Sequence, residues 1–400
     1  MKKIIKGFYR VYQFIMSLAV PLLPWKDTKL LSSPGSIANV PNILKKEGVH
    51  TLFVATTKGT LKRGYLNGIL DELQGMGIHY HIFSSITPDP TISSIEEGVA
   101  EYNSHNCNGI LAVGGGSVID CSKVIGARAV KPNMSVSDMK GILKIRKKLP
   151  TFITVPTTAG TGSECTLAAV ITDEKTHYKY PINDPCLLPD YAILDGELTK
   201  DLPPNLTAQT GMDAMTHSIE AYINKFSSKN SKSYALKSLT LIHSNLLKVY
   251  NDGHDIKARQ NMLEASFYAG KAFTKAYVGY VHAIGHAIGG IYGMPHGLIM
   301  AILLPKVLRK YDEKAEKSLS ELAIALGESP SLSTKELSQR FIALVESYNR
   351  AMGIPDNVAA LSKSDYEEIA RRALKEANPL YPVPEIWVKE EIFEVLNEVS

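Results

Sequence analysis

The sequence is poor in cysteine, in runs of like charge and in long apolar stretches. Its four cysteines, Cys107, Cys121, Cys165 and Cys186, are scattered over the first half, and none forms a Cys-x-x-Cys pair. That argues against a disulfide framework and fits reduced thiols in a cytoplasmic protein. Basic and acidic residues number 44 and 40, a formal charge of +4, with no arm or tail of one sign. A nucleic-acid partner is therefore not expected. The apolar stretch Val11–Leu23 follows a lysine-rich start and superficially resembles a secretory signal. Tyr12, Gln13 and Ser17 interrupt it, Pro21 and Pro24 break its end, and no small-x-small cleavage site follows. It is also too short to span a bilayer, so no stable membrane insertion is expected. It reads as a packing or partner-contacting helix, with peripheral membrane contact as the lesser alternative. Internal repeats and low-complexity segments are absent, as are the Gly-x-Gly-x-x-Gly fingerprint and a Walker sequence.

What is present is an ordinary globular composition, 44% hydrophobic and 21% charged over 400 residues, enough for two domains with full cores. From about Pro34 to Asp195, short apolar runs alternate with helical patterns. Thr51–Thr56, His79–Phe83 and Gly109–Val113 read as strands, with Arg63–Met76 and Thr91–Asn103 as the helices between them. Phe152–Pro156 and Asp190–Asp195 read as further strands. Strand and helix in alternation predict a parallel sheet covered by helices, the doubly wound class.

Two loops in this half have the make-up of ligand sites. Gly114-Gly115-Gly116-Ser117 follows a buried strand and opens a helix. Glycines there let backbone N–H groups approach a phosphate, and the helix N-terminus favours its charge. Thr157–Glu164 follows the next strand and is dense in hydroxyls and glycines, suited to a pyrophosphate or ribose. Two such loops mark the carboxyl edge of a sheet, where ligands bind. Lys179 would help neutralise a dinucleotide if it lies near them.

After Pro203-Pro204 helical periodicity takes over, as in Ser233–Tyr250, Lys257–Phe273, Ser318–Leu326, Thr334–Met352 and Ser364–Ala377, the last with Ser364 as its expected cap. The expected division is an N-terminal extension over 1–30, an α/β domain over 31–202 and an all-helical domain over 203–400. The second half also carries two histidine-rich pieces, residues 211–222 and 279–297. Asp213 and His217 are four apart, as are His282 and His286, and His296 follows a Gly-rich break. On a helix that spacing puts each pair on one face. One carboxylate and up to four imidazoles suit a divalent transition metal and suit Mg or Ca poorly. Spacing does not choose among the histidines.

These motifs make the chain resemble the iron-containing, group III, alcohol dehydrogenases from about Pro34 to Val395. The resemblance implies a Rossmann-like N-terminal α/β domain and an all-α C-terminal domain, the architecture shared with dehydroquinate synthase, with the active site in the cleft between them. It implies nicotinamide dinucleotide binding by Gly114–Ser117 and by the Pro156–Thr161 loop, including Thr157, Thr158 and Thr161. Further cofactor contacts would fall on Asp89, Asp120, Thr166, Lys179 and Leu198. The implied metal ligands are Asp213, His217, His282 and His296, and His286 is placed beside the substrate as a catalytic proton relay. Iron, Fe(II), is the implied metal, and Zn(II) suits the same ligands.

One position departs from the family pattern. NAD-preferring members carry an Asp after the first strand, whose charge would repel a 2′-phosphate. Here the place falls on Thr57, followed by Lys58, which predicts NADP(H) over NAD(H). The expected activity is hydride transfer between a small or medium primary alcohol or aldehyde and nicotinamide, in a homodimer. Phosphorylated polyol dehydrogenation and a dehydroquinate synthase-like lyase reaction use the same scaffold. Either would require basic residues around the metal cleft, and only Lys271 and Lys275 lie near the His-rich segments in sequence. A non-enzymatic dinucleotide- or metal-binding protein is the third reading, disfavoured by the complete ligand set. Residues near Thr161, Phe267 and Tyr277 are candidate pocket walls.

Overall fold

The computed structural model describes residues 2–176 and 178–400, so Met1 of the expected extension lies outside it. The chain divides into two units: Pro24–Leu202 with Gly253–Phe267, and Met1–Leu23 with Pro203–Asp252 and Tyr268–Ser400.

The first of these is α/β. Its strands are β1 (Lys29–Ser32), β2 (Thr51–Ala55), β3 (His79–Phe83), β4 (Gly109–Gly114), β5 (Gly141–Ile142), β6 (Thr151–Pro156), β7 (Ala168–Asp173), β8 (Tyr178–Asn183) and β9 (Tyr191–Leu194). Six form one parallel sheet in the order β1-β9-β6-β4-β2-β3. Counting helices from the chain start, α1 is Lys2–Ala19. Those in the α/β unit are α2 (Val40–Lys46), α3 (Lys58–Lys62), α4 (Asn67–Gly75), α5 (Ile92–Ser104) and α6 (Gly116–Val130). Alternate strand residues feed two cores. Phe53, Ile110 and Phe152 pack with Ile95 of α5 and Val124 of α6 on one face. Leu52, Val54, Leu111 and Ile153 pack with Leu44 of α2 and Leu73 of α4 on the other. A sheet covered on both faces explains why β4 is apolar along its length rather than alternating.

From β2 the chain moves outward to β3, then returns to place β4 on the other side of β2. The switch point therefore lies at the carboxyl ends of β2 and β4, where Thr57 and Gly114–Ser117 sit. Crevices at such reversals are the usual ligand position in open α/β sheets. A small sheet, β5-β8-β7, was not legible in the sequence. It holds Lys179 on β8, which pairs antiparallel with β7.

The second unit is helical: α7 (Pro204–Ile223), α8 (Lys229–Asn251), α9 (Ile256–Ala276, of which residues 268–276 belong here), α10 (Tyr280–Tyr292), α11 (His296–Tyr311), α12 (Glu316–Ala325), α13 (Thr334–Ala351), α14 (Tyr366–Ala377) and α15 (Lys389–Glu398), with α1. Pro204 opens α7 at a position where a missing N–H costs nothing. Helix α7 packs on α8 and α11, and α10 on α11 and α14. Gly293 ends α10 in the left-handed conformation, leaving a short turn before His296 starts α11.

Two sequence expectations need correction. Helix α4 starts at Asn67 rather than Arg63, because a turn closing on Gly64, at φ 73°, separates it from α3. Ser364 does not cap α14. The capping residue is Asp365, without a side-chain cap, and Ser362 accepts from the Ser364 N–H to close the short turn before it. Among the described residues, no helix is long and apolar enough to cross a membrane.

Candidate functional site

Helix α7 carries Asp213 and His217 on one buried face, and α10 carries His282 and His286. Asp213 Oδ1 lies 3.8 Å from His282 Nε2 and 3.9 Å from His217 Nδ1. These three residues offer donor atoms all within 4.8 Å of one another. His296, at the start of α11, stands beside the trio with Nε2 3.2 Å from Asp213 Oδ1, and is the more exposed at 35%. The His217 ring is clamped between Phe273 and His282, with centroids 4.3 and 4.4 Å away.

The electrostatics of this cluster are those of a cation site. Asp213 Oδ1, His217 Nδ1 and His282 Nε2 are buried with no hydrogen-bond partner in the protein. Leaving three such atoms unsatisfied at one point is costly. Burial opposes charge on Asp213, but the surrounding imidazoles, His217 first, outweigh it and hold the carboxyl well below its ordinary range. Burial also pushes the His217 imidazole down to about 3 and lowers His282, so both are neutral donors at pH 7. Neutral imidazoles and one carboxylate, converging in a dry pocket, fit a divalent transition metal.

Behind this cluster stands a carboxylate with no role assigned from sequence. Glu220 Oε2 accepts from the Gly279 N–H at 2.8 Å and lies 2.6 Å from His282 Nδ1; its Oε1 accepts from the Val281 N–H at 2.8 Å. Burial pushes its carboxyl up to about 7, against those two N–H bonds. Holding Nδ1 fixes the ring so that Nε2 faces Asp213. A side chain at position 279 would strike Glu220, which explains the glycine there. The signal for Glu220 was present, since it sits seven residues after Asp213 on the same helix.

His286 is held differently. Its Nδ1 lies 2.8 Å from Glu376 Oε1, which also accepts from the Tyr381 hydroxyl at 2.9 Å. Its ring is stacked on His296 with centroids 5.2 Å apart. His282 and His286 are thus each held at Nδ1 by a carboxylate outside the candidate set, Glu220 and Glu376. Glu376 lies ninety positions along the chain from His286, and nothing in its local sequence marked it.

In the α/β unit, the structure gathers most of the expected dinucleotide residues at the carboxyl ends of β2, β4 and β6. Gly115 leads into α6 without a side-chain cap, leaving first-turn N–H groups unclaimed by any cap. A Cβ on Gly116 would come within 2.6 Å of the Thr161 side chain, and one on Gly115 within 3.2 Å of Thr158. Glycine is thus what lets the 114–117 and 157–161 loops meet. Thr157 N donates to Gly114 O at 3.0 Å. Asp89, at φ 57°, forms an ion pair with Lys179 at 2.7 Å, and its N–H lies 3.4 Å from Ser117 Oγ. Thr57 caps α3, accepting from Thr60 N at 3.1 Å, with Lys58 exposed beside it.

Three expected contacts are turned inward. Asp120 accepts from Ser163 Oγ and from the Val170 N–H. Thr166 Oγ1 lies 3.1 Å from the fully buried Lys123 Nζ, which also donates to Ser163 Oγ, Thr166 O and Ala168 O. Leu198 belongs to the apolar core on the α2/α4 face of the sheet. Asp120 and Thr166 thus brace the loop after β6. Lys123, which does the bracing, was not picked out from sequence.

The chain matches two family descriptions, iron-containing alcohol dehydrogenase over residues 27–196 and the C-terminal part of the Fe-containing alcohol dehydrogenase family over residues 207–400. It is 34% identical to an NAD-dependent methanol dehydrogenase of Bacillus methanolicus over 345 residues, 86% of this chain and 90% of that one. It is 32% identical over 353 residues to an NADPH-dependent butanol dehydrogenase of Clostridium saccharobutylicum, 86% of this chain and 89% of that one. A crystal structure of 1,3-propanediol oxidoreductase superposes with a TM-score of 0.89 at 33% identity, covering 94% of this chain and 99% of that one.

Proposed function

Because the chain belongs to the iron-containing alcohol dehydrogenase family, and is therefore an NAD(P)-linked alcohol oxidoreductase, we propose that Asp213, His217, His282 and His296 hold its divalent ion, Fe(II), with Zn(II) suited to the same donors. The observation that carries this reading is the convergence of three buried, unpartnered donor atoms on one point. When bound there, the ion supplies positive charge that stabilises developing negative charge on an alcohol or aldehyde oxygen, while the nicotinamide carries the hydride.

The protein's own groups supply the rest. Glu220 orients His282. Glu376 holds His286 Nδ1 and so fixes the ring, whose proposed role is to exchange a proton with the substrate hydroxyl. The uncapped start of α6 and the Gly114–Ser117 turn receive the pyrophosphate. Thr157, Thr158 and Thr161 line the same edge, with Asp89 and Lys179 beside it. Residues 31–202 are assigned to the dinucleotide and 203–400 to the metal, with 1–30 an extension outside both roles.

NADP(H) is the proposed partner. Thr57 presents a neutral cap where an Asp would repel a 2′-phosphate, and the Lys58 ammonium is exposed next to it. Reduction of small or medium aldehydes is then the direction favoured in the cell. A two-fold homodimer is the proposed assembly. A cytoplasmic location is proposed from the four scattered cysteines, none of which forms a Cys-x-x-Cys pair.

The ligand assignment is tested by metal content and turnover measured together. His282→Ala should lose bound iron. His286→Ala should retain it and lose turnover by about 10²-fold or more, the usual contribution of general acid–base groups. Loss of iron from His286→Ala would overturn the assignment.

A further inference from the structure

Helix α1 is inverted relative to an ordinary surface helix. Its docked side is anchored by polar groups. Gln13, buried, donates to the carbonyls of Pro379 and Tyr381 at 3.0 and 2.7 Å. The Arg10 guanidinium bonds Gln13 and the Pro384 carbonyl. The opposite side is apolar and open. Ile4, Phe8, Val11, Ile15, Leu18 and Leu22 follow one another at alternating steps of four and three, which on a helix makes one continuous stripe. They are 77, 64, 58, 57, 59 and 85% exposed. Ile5 and Phe14 on the same helix are exposed as well, and beyond residue 22 the exposed large hydrophobics among the described residues are Leu30, Ile142 and Ile324, each isolated in sequence. Single exposed apolar residues need no explanation, but a contiguous stripe marks a contact surface.

Charge identifies the occupant. Up to residue 26 the chain carries Lys2, Lys3, Lys6, Arg10 and Lys26 and no carboxylate; Arg10 is engaged with Gln13 and the Pro384 carbonyl and Lys26 with Asp190 at 2.6 Å, so the charges at issue are those of Lys2, Lys3 and Lys6. Two copies meeting through this stripe would bring like charges together with no acidic partner on either helix. An anionic lipid surface offers both what the stripe lacks and what the lysines lack, apolar acyl chains and negative headgroups. Tyr9 and Tyr12, half-buried along the flanks, are the residue type that settles at such an interface. At 18 residues the helix is about 27 Å long. It lies outside the candidates for a membrane span, which fits a helix resting in the interfacial plane.

We propose that α1 docks the enzyme onto an anionic membrane surface, its apolar stripe lying among the acyl chains and its lysines at the headgroups. The proposal does not rest on the metal chemistry. The test is co-sedimentation of the full-length protein with vesicles of phosphatidylcholine alone and of phosphatidylcholine mixed with phosphatidylglycerol, at low and high salt. Wild type should pellet with the mixed vesicles, less with neutral ones, and less as salt rises past a Debye length of about 8 Å. The double variant Phe8→Glu with Ile15→Glu alters only exposed side chains, so dehydrogenase turnover in solution should be unchanged. Its vesicle affinity should fall by at least about tenfold. Failure of wild type to pellet with either vesicle, or equal binding by the double variant, would overturn the proposal. So would a wild-type protein that ignores vesicles but sediments as a larger species than the double variant, which would assign the stripe to a second copy.

Discussion

Glu220 is a single carboxylate asked to do three things: accept from two backbone N–H groups and hold the imidazole of His282. Glutamine cannot replace it, since its one acceptor oxygen leaves an NH₂ facing a donor. Glu220→Gln should lower iron affinity by about 10- to 100-fold, the usual effect of losing a carboxylate behind a metal-ligating histidine. Competition against a chelator measures this, and an unchanged affinity would show that His282 does not need its support. Thr57 is the second residue on which the account turns. Thr57→Asp should shift the NADPH-to-NADH dissociation-constant ratio toward NADH by roughly tenfold or more, about 1.4 kcal/mol. Wild type binding NADH the more tightly would refute the argument from this position. At this scale, much of the candidate site was legible in the sequence. Asp213 and His217, and His282 and His286, are local pairs whose spacing carries their geometry. Glu376 was not, because its link to His286 exists only once α10 and α14 have packed. Spacing likewise left His286 and His296 equivalent; in the fold His296 stands 3.2 Å from Asp213, and His286 is held 2.8 Å from Glu376.

At the scale of elements, α6 depends on Lys123. Its buried ammonium joins the helix to the loop after β6 through Ser163, Thr166 and Ala168. Lys123→Met should destabilise the protein by about 3 kcal/mol, the usual order for removing one partner from a buried charged network, and should weaken dinucleotide binding. Burial lowers Lys123 to about 8 from 10.5. Between those values the unfolded chain holds a proton that the folded chain has released. The group's contribution is therefore present above 10.5 and lost as pH falls through 8, so it makes stability rise with pH in that window. Glu164, raised by burial to about 7 from 4.5, acts oppositely and at lower pH. Its contribution is full below 4.5 and lost as pH rises through 7. Denaturation of wild type and Lys123→Met from pH 8 to 10.5 isolates the lysine, and equal slopes would contradict the assignment. Strands β2, β4, β6 and β9 were legible because each is a short, largely apolar run, and β3, His-Tyr-His-Ile-Phe, by its aromatic and β-branched residues between helical patterns. Strands β1, β5, β7 and β8 were not. Exposed and half-buried residues dilute β1, β5 is two residues long, and β7 and β8 are mixed in polarity, with Pro181 inside β8.

For the whole molecule, the α/β and helical character of the two halves followed from short apolar runs alternating with helical patterns up to Asp195 and helical periodicity alone after Pro203. Period alone would not assign residues 253–267 to the α/β unit, since from Ile256 on they are helical and continuous with the rest of α9. Stability should be linked to the metal. With free ion at a hundred times its dissociation constant, the folded protein gains about 2.7 kcal/mol, so chelation should lower the thermal midpoint and Fe(II) should restore it. An unchanged midpoint would mean that the buried donors of α7 and α10 are satisfied without an ion.

The central claim is that hydride transfer requires the ion held by Asp213 and the three histidines. Its most direct test is anaerobic NADPH oxidation by metal-stripped protein with butanal, followed by addition of Fe(II) or Zn(II). The account predicts no turnover from the stripped protein and recovery on adding metal, with His286→Ala still binding iron but remaining slow. Full turnover by protein verified to be free of metal would contradict it.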